Sequence, residues 1–258
     1  MNGSIIEKYA FPSPNPTVNL YMVTYLSQGL KVKGMLAEPK EEGLYDGLLY
    51  LRGGIKNVGK VRPSRIAQFA QEGLIVFAPF YRGNQGGEGD EDFAGEDRYD
   101  AFSGFELLKH HERVHKSRIH IFGFSRGGVM ALFTAIQYPE ALTVTTWGGV
   151  SDMALIYKER KDLQRMMKRV IGSIKKHPNQ YEIRTPLNYI EQLNAPILII
   201  HGMLDQNVSV QHALMLEQCA KKYKKQVEKW YFQEYDHHFP PLQNKRVTEQ
   251  MIKWMKKH

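Results

Sequence analysis

Apolar positions along this chain follow two rhythms. Short stretches in which apolar residues alternate or run without a break read as strands: "VNLYMVTYL", "KVKGMLAEP", "YDGLLYL", "GLIVFAPF", "SRIHIFGF", "LTVTTWG", "APILIIHG" and "VEKWYF". Between them lie longer segments whose apolar residues recur every three or four positions, which predicts helices over 63–72, 97–112, 126–137, 210–224 and 244–256. The first two strands flank the turn-like "SQGL" and read as an antiparallel pair. From there strand and helix alternate, and several strands are continuous apolar runs, as expected where helices cover both faces of a mainly parallel sheet. The pattern predicts one doubly wound α/β domain over 1–258, with a mostly parallel sheet of about eight strands. One segment breaks the rhythm. Residues 151–194 are longer than a crossover needs, and we expect a helical excursion capping the carboxyl edge of the sheet, where open α/β sheets bind ligands.

Composition narrows the class without changing it. Of 258 residues, 42% are hydrophobic and 24% charged, an ordinary globular balance. No stretch approaches the ~20 apolar residues of a membrane span. The start, "MNGSIIEKYAFPSPNPTVNL", lacks the basic and apolar regions of a secretory signal, which predicts a cytoplasmic protein. The single cysteine, Cys219, excludes an intrachain disulfide and a cysteine zinc site. The net charge of +8 is unevenly spread: 158–176 holds eight basic and two acidic residues, and 88–100 holds seven acidic residues and one arginine. Both runs read as solvated faces. The basic run carries Met166, Met167, Val170 and Ile171 between its charges, an apolar helix face with no base-stacking aromatics, so no nucleic-acid partner is expected. The acidic run opens like a calcium loop at Asp90, Asp92 and Gly95, but its twelfth position is Ala101, where a bidentate Glu is required.

The chemistry concentrates at "RIHIFGFSRGGVM". Here a strand, a sharp turn through Gly123, Phe124, Ser125, Arg126 and Gly127, and a helix follow one another, which is GxSxG in the context it needs. The flanking glycines let the backbone bend so that Ser125 stands exposed at the tip. A serine hydroxyl is a poor nucleophile until an imidazole takes its proton, and that imidazole needs a carboxylate to hold its tautomer. Both groups follow in order: Asp205 after the strand "APILII", and His237 after "VEKWYF". Ser, Asp, His is the chain order of α/β hydrolases. Each candidate has a rival at this level, Asp152 or Asp236 for the acid and His238 for the base.

"LYLRGGIKNVGKV" places Gly54, Gly59 and Lys60 at the spacing of a phosphate loop, but Val61 stands where magnesium needs Ser or Thr, and Arg62 and Pro63 begin a new helix. The loop fits another task. After an early strand of such a fold, a backbone N–H must meet the oxyanion together with the N–H of the residue after the nucleophile; these are assigned to Gly54 and Arg126. "FAPFYRGNQGGEG" does not match GxGxxG, and Arg82 within it is expected to pair with Asp100. The remaining histidines, His201 and His212 among them, show no metal spacing. No cofactor is expected.

These blocks resemble the catalytic domain of the prolyl oligopeptidase family over positions 30–256. "YLRGG" stands where that family has an HGG-type oxyanion loop, "PFYRGNQGGEG" is similar to its YRGxxGxG stretch, and "GFSRGG" matches its nucleophile elbow. "APILIIHGMLDQNVSVQHA" resembles its PxLxxHGxxDxxV block, and "DHHF" its HxF ending. The resemblance implies an α/β-hydrolase fold and selects Asp205 over Asp152 and His237 over His238. It implies a serine hydrolase acting through an acyl-enzyme on small acyl esters or short peptides. Two departures matter. Arg52 replaces the usual histidine of the oxyanion loop, and the N-terminal segment has no room for the propeller with which large members select peptides, so a free-standing esterase or peptidase is expected. The alternative is a catalytically weak module binding a small ligand on the same fold.

Overall fold

The computed structural model describes residues 1–258, organised around a nine-stranded sheet in the order β1-β2-β3-β5-β4-β6-β7-β8-β9. The strands are β1 (Ile5–Phe11), β2 (Val18–Ser27), β3 (Leu30–Pro39), β4 (Tyr45–Leu51), β5 (Leu74–Pro79), β6 (Val114–Phe124), β7 (Thr143–Trp147), β8 (Ile197–Gly202) and β9 (Val227–Phe232). β1, β2 and β3 form an antiparallel meander joined antiparallel to β5, and the other neighbours are parallel. This is the α/β-hydrolase fold, with nine strands instead of about eight. The extra one is β1, in which all seven residues are exposed. It owes its place to the ladder with β2, from Phe11↔Leu20 to Glu7↔Thr24, and not to burial of a face, so no apolar alternation marks it.

Side-chain alternation along the central strands builds two cores. Leu49, Leu51, Ile75, Phe77, Ile197 and Ile199 point to one face, and their neighbours Leu48, Tyr50, Leu74, Val76, Leu198 and Ile200 to the other. The first face is covered by α2 (Arg98–His110), α3 (Gly127–Gln137) and α7 (Val210–Lys222), the second by α1 (Pro63–Ala70) and α8 (Pro241–Lys257).

Residues 151–194 fold as α4 (Met153–Glu159), α5 (Gln164–Val170), α6 (Pro178–Glu182) and a 3-10 turn, Pro186–Gln192. Met167 and Ile171 are buried in the first core while the lysines and arginines around them face outward, as expected of an amphipathic basic run. No helix is long and apolar enough to cross a membrane.

Candidate active site

β6 ends in the turn that carries Ser125, whose φ of 56° lies in the left-handed region that costs any side-chain-bearing residue energy. The turn is held from three sides. Ser125 N–H donates to Trp147 O at 3.1 Å, and the Ser125 carbonyl accepts from Gly128 N at 2.9 Å and Val150 N at 3.0 Å. Both flanking glycines are required sterically. A Cβ on Gly123 would collide with the Gly127 carbonyl, and one on Gly127 with the Leu51 carbonyl. A third glycine belongs to the same corner, since a Cβ on Gly53 would lie 2.6 Å from Ser125 Cβ. The loop after β4 is thus pressed against the serine, in the place a loop stabilising an oxyanion would occupy.

That loop has donors to spare. The backbone N–H groups of Gly53, Gly54, Ile55 and Arg126 donate to no protein acceptor. Gly54 and Arg126, the two expected donors, belong to this set, and Gly53 and Ile55 join them as neighbours of the same kind.

Asp205 and His237 come together across β8 and β9. His237 Nδ1 lies 2.7 Å from Asp205 Oδ2, while Asp205 Oδ1 accepts the N–H groups of Asn207 and Val208, each at 2.9 Å. One carboxylate oxygen is thereby fixed by backbone and the other by the imidazole. Gly148, which reasoning from the sequence missed, makes room for the pair: with φ of 53°, its added Cβ would stand 3.0 Å from His237 Nδ1 and 3.2 Å from Asp205 Oδ2. The double glycine directly after a central strand, "WGG", is the signal that could have found it. The His237 loop is seated on β8 at Gly202, where a Cβ would meet the Asp236 carbonyl at 2.7 Å. The His237 ring packs 4.8 Å from the Phe124 ring, beside the serine, and its Nε2 has no hydrogen-bond partner. Ser125 Oγ likewise makes no hydrogen bond in this resting arrangement, although both residues line one cleft.

The rivals make other contacts. Asp152 caps α4 by accepting the Leu155 N–H at 2.7 Å. Asp236 accepts from Gln206 N and His237 N and so ties two loops. His238 keeps much of its surface in solvent but lays its ring 5.5 Å from Phe124 in the same cleft, and this partial desolvation, with the neighbouring His237 charge, pushes its imidazole below its ordinary value. His201 is buried with Nε2 2.8 Å from the Val208 carbonyl, and desolvation lowers its pKa against the pull of Val208 and Asp205.

The acidic run 88–100 departs most from expectation. It is not a solvated face, because Glu91, Asp97 and Asp100 are buried. Arg82 pairs with Asp100, Nη2 to Oδ1 at 2.9 Å, as the sequence indicated. Glu91 Oε1 lies 3.0 Å from Arg52 Nη2 and 2.6 Å from Arg126 Nη2, and Oε2 accepts from Lys56 N at 2.5 Å and Asn84 Nδ2 at 2.9 Å. One carboxylate therefore links the residue before Gly53 to the residue after Ser125. Burial alone would raise the Glu91 pKa, but Arg126 and Arg52 outweigh it and hold it low. Asp97, 3.3 Å from Arg126 Nη1, is the weaker acid of the cluster. Burial first, with the charges of Asp92, Glu91 and Asp100 adding to it, pushes its pKa up to about 7 against the pull of Arg126. Both guanidinium groups also lie over the buried Tyr81 ring, at 5.0 and 4.9 Å. The arginine that replaces the oxyanion-loop histidine is thus neutralised from behind, and it fixes its loop by donating to the Gly53 and Phe80 carbonyls.

The cleft has a volume of about 1110 Å³ and straddles the carboxyl edge of the sheet. Ser125 and His237 lie along it, Ile156, Leu163 and Met166 of the 151–194 segment line it on the first-core side, and α1 and α8 on the other. No group of three His, Cys, Asp or Glu side chains is placed to hold a metal ion.

Comparison with known proteins places the chain. The model of the prolyl oligopeptidase family matches residues 60–258. The chain is 60% identical, over 98% of its length and 99% of the relative's, to the uncharacterized peptidase YtmA of Bacillus subtilis. Among solved structures it superposes on the Pyrococcus horikoshii acylaminoacyl peptidase with a TM-score of 0.80 at 21% identity, covering 98% of this chain and 42% of that one. On the acetyl xylan esterase of a Paenibacillus species it superposes with a TM-score of 0.75 at 15% identity, covering 98% and 88%. The chain thus spans about two fifths of the acylaminoacyl peptidase, and at these identities the structural likeness speaks for the fold.

Proposed function

The chain belongs to the prolyl oligopeptidase family and is a serine hydrolase, and from that premise we propose that it cleaves small acyl esters and short-peptide or aminoacyl bonds through an acyl-enzyme on Ser125. In this reading Ser125 Oγ attacks the substrate carbonyl carbon while its proton passes to His237 Nε2, and Asp205 holds the Nδ1–H tautomer and stabilises the imidazolium. The oxygen of the tetrahedral intermediate lies between the backbone N–H groups of Gly54 and Arg126. Collapse expels the leaving group, which takes the proton from His237. Water then repeats the sequence on the acyl-enzyme, giving its proton to His237, and Ser125 recovers its own. The single observation that carries the proposal is the buried 2.7 Å Asp205–His237 contact, set beside a serine held at positive φ.

We further take the whole chain, 1–258, as one domain in which 151–194 caps the site. Ile156, Leu163 and Met166 support this by lining the cleft. The peptidase name of the 60% identical relative and the presence of both peptidases and an esterase among chains of this fold support the two bond classes alike. The test is active-site labelling by a fluorophosphonate, followed by a panel of p-nitrophenyl esters and aminoacyl anilides. Rapid labelling lost in Ser125→Ala, with turnover of at least one panel class, is the expected result. Absence of both labelling and turnover in folded protein refutes the proposal and leaves a ligand-binding module.

A further inference from the structure

The cleft differs at its two ends. Towards the 151–194 segment it is apolar, with Val150, Ile156, Leu163, Met166 and Val208. Beyond Ser125, between α1 and α8, it is lined by Lys60, Arg62, Arg65 and Lys245 with Ser64, Gln68 and Asn244. No aspartate or glutamate lines the cleft anywhere, although the chain holds 27 of them. Arg52, Arg126 and Arg160 also reach it, but each is tied to a carboxylate: Glu91 for the first two, Asp162 for the third. Lys60, Arg62 and Arg65 have no carboxylate within 4.0 Å, and Lys245 has Glu249 only at that limit.

Arg65 is the centre of this end. Its guanidinium is stacked 4.7 Å over Phe69 and 5.7 Å over Trp147, a fixed seat for a planar cation. Nη1 is occupied by three neutral acceptors: Gln68 Oε1 at 2.7 Å, Thr248 Oγ1 at 2.9 Å and Asn244 Oδ1 at 3.0 Å. The Tyr50 side chain lies against the guanidinium as a fourth neutral partner, and no carboxylate meets Nε or Nη2, the edge that pairs with one in the two-bond geometry. A half-buried guanidinium held by uncharged neighbours only carries a charge that no group of the chain neutralises. His238 lies at this same end beside His237, from which the leaving group takes its proton.

Resting on the hydrolase reading above, we propose that the Arg65 end binds a free carboxylate on the leaving-group side of the substrate, while the apolar end takes the acyl group. The substrate class is then N-acyl amino acids and short peptides whose terminal carboxylate lies close to the scissile bond, with the corresponding esters. Lys60, Arg62 and Lys245 raise the positive potential at the entrance, and Arg65 makes the directed contact.

The test separates this inference from turnover. Ser125→Ala protein is titrated by calorimetry with N-octanoylglycine and with its uncharged isostere, N-octanoylglycinamide. A charge-assisted pair of this kind gives the acid about 10- to 100-fold tighter binding, weakening as salt rises. Arg65→Gln on the same background brings the ratio to about threefold or below. Because Arg65 is partly buried, the exposed pair Lys60→Gln/Arg62→Gln is measured alongside it and lowers the ratio to an intermediate value. Equal binding of acid and amide overturns the proposal, as does a preference that survives Arg65→Gln in folded protein. Acid-selective binding by a protein that is neither labelled by the fluorophosphonate nor turns over any ester or anilide supports the carboxylate site while refuting the hydrolase reading. Ester turnover without acid preference does the opposite.

Discussion

Replacing Glu91 by glutamine removes one charge and exchanges one oxygen for an amino group, and its cost follows from the four donors around the carboxylate. Oε1 serves Arg52 and Arg126, and Oε2 serves Lys56 N and Asn84 Nδ2. Whichever way the amide turns, its NH₂ faces two donors that lose their acceptor. Arg126 is then left with Asp97, itself the weaker acid, and Arg52 with no carboxylate. Removing one partner of a buried ion pair costs about 3–5 kcal/mol. Against a total stability of about 5–15 kcal/mol this is a large fraction. At about 2–4 °C per kcal/mol for a chain of this size, the melting temperature should fall by roughly 6–20 °C. The assay is a thermal melt followed by circular dichroism at pH 7.5, repeated in 0.5 M NaCl, which should change the difference little because the groups are buried. Ester turnover should also fall, since Glu91 ties together the two loops to which the proposed mechanism assigns the oxyanion donors. Combining Glu91→Gln with Arg52→Met should cost less than the sum of the two, because they break one network. A Glu91→Gln protein melting within about 2 °C of the parent would refute the reasoning.

Asp205→Asn should lower kcat by several orders of magnitude and Asp152→Asn by no more than a few-fold, since only Asp205 touches the imidazole; a stopped-flow ester assay that ranks them the other way reassigns the acid. In the same assay His237→Gln should abolish turnover and His238→Gln retain most of it. Gly53→Ala pushes a methyl to 2.6 Å from Ser125 Cβ, so kcat should drop at least about tenfold with little change in far-ultraviolet circular dichroism; unchanged kcat argues that the loop yields freely. Asp97 holds its proton up to about pH 7 when folded but releases it near the ordinary carboxylate range when unfolded, so its contribution to stability is full at low pH and falls as pH rises to about 7. Asp97→Asn lacks this slope, and its melting temperature should gain on the parent's between pH 5 and 8; parallel curves would show that Asp97 is ionised throughout.

The parts of the molecule legible in the sequence are those whose cause is local. Alternation at Leu48 to Leu51 or at Ile197 to Ile200 reflects a strand with a core on each side, and the glycines around Ser125 answer to a bend spanning five residues. The contact of Asp205 with His237 was readable for the same reason, each residue following a strand end. What escaped depends on residues far apart. Glu91 and Asp97 look like part of a solvated acidic run until Arg52 and Arg126, 39 and 35 positions away from Glu91, reach them. Gly148 gains its meaning only from the Asp205–His237 pair packed against it. β1 was invisible because nothing about it is amphipathic.

That strand also has an energetic individuality. A segment with both faces in water and one neighbour is secured by its ladder to β2, by the contact of Lys8 with Glu38 and by the Thr24–Glu7 hydrogen bond, with no share in either core. Its opening is therefore decoupled from global unfolding: β1 lifts away at the free-energy cost of a few surface hydrogen bonds, while the carboxyl edge of the sheet stays assembled. Amide exchange there follows local fluctuation and reports almost nothing about the stability of the rest of the molecule.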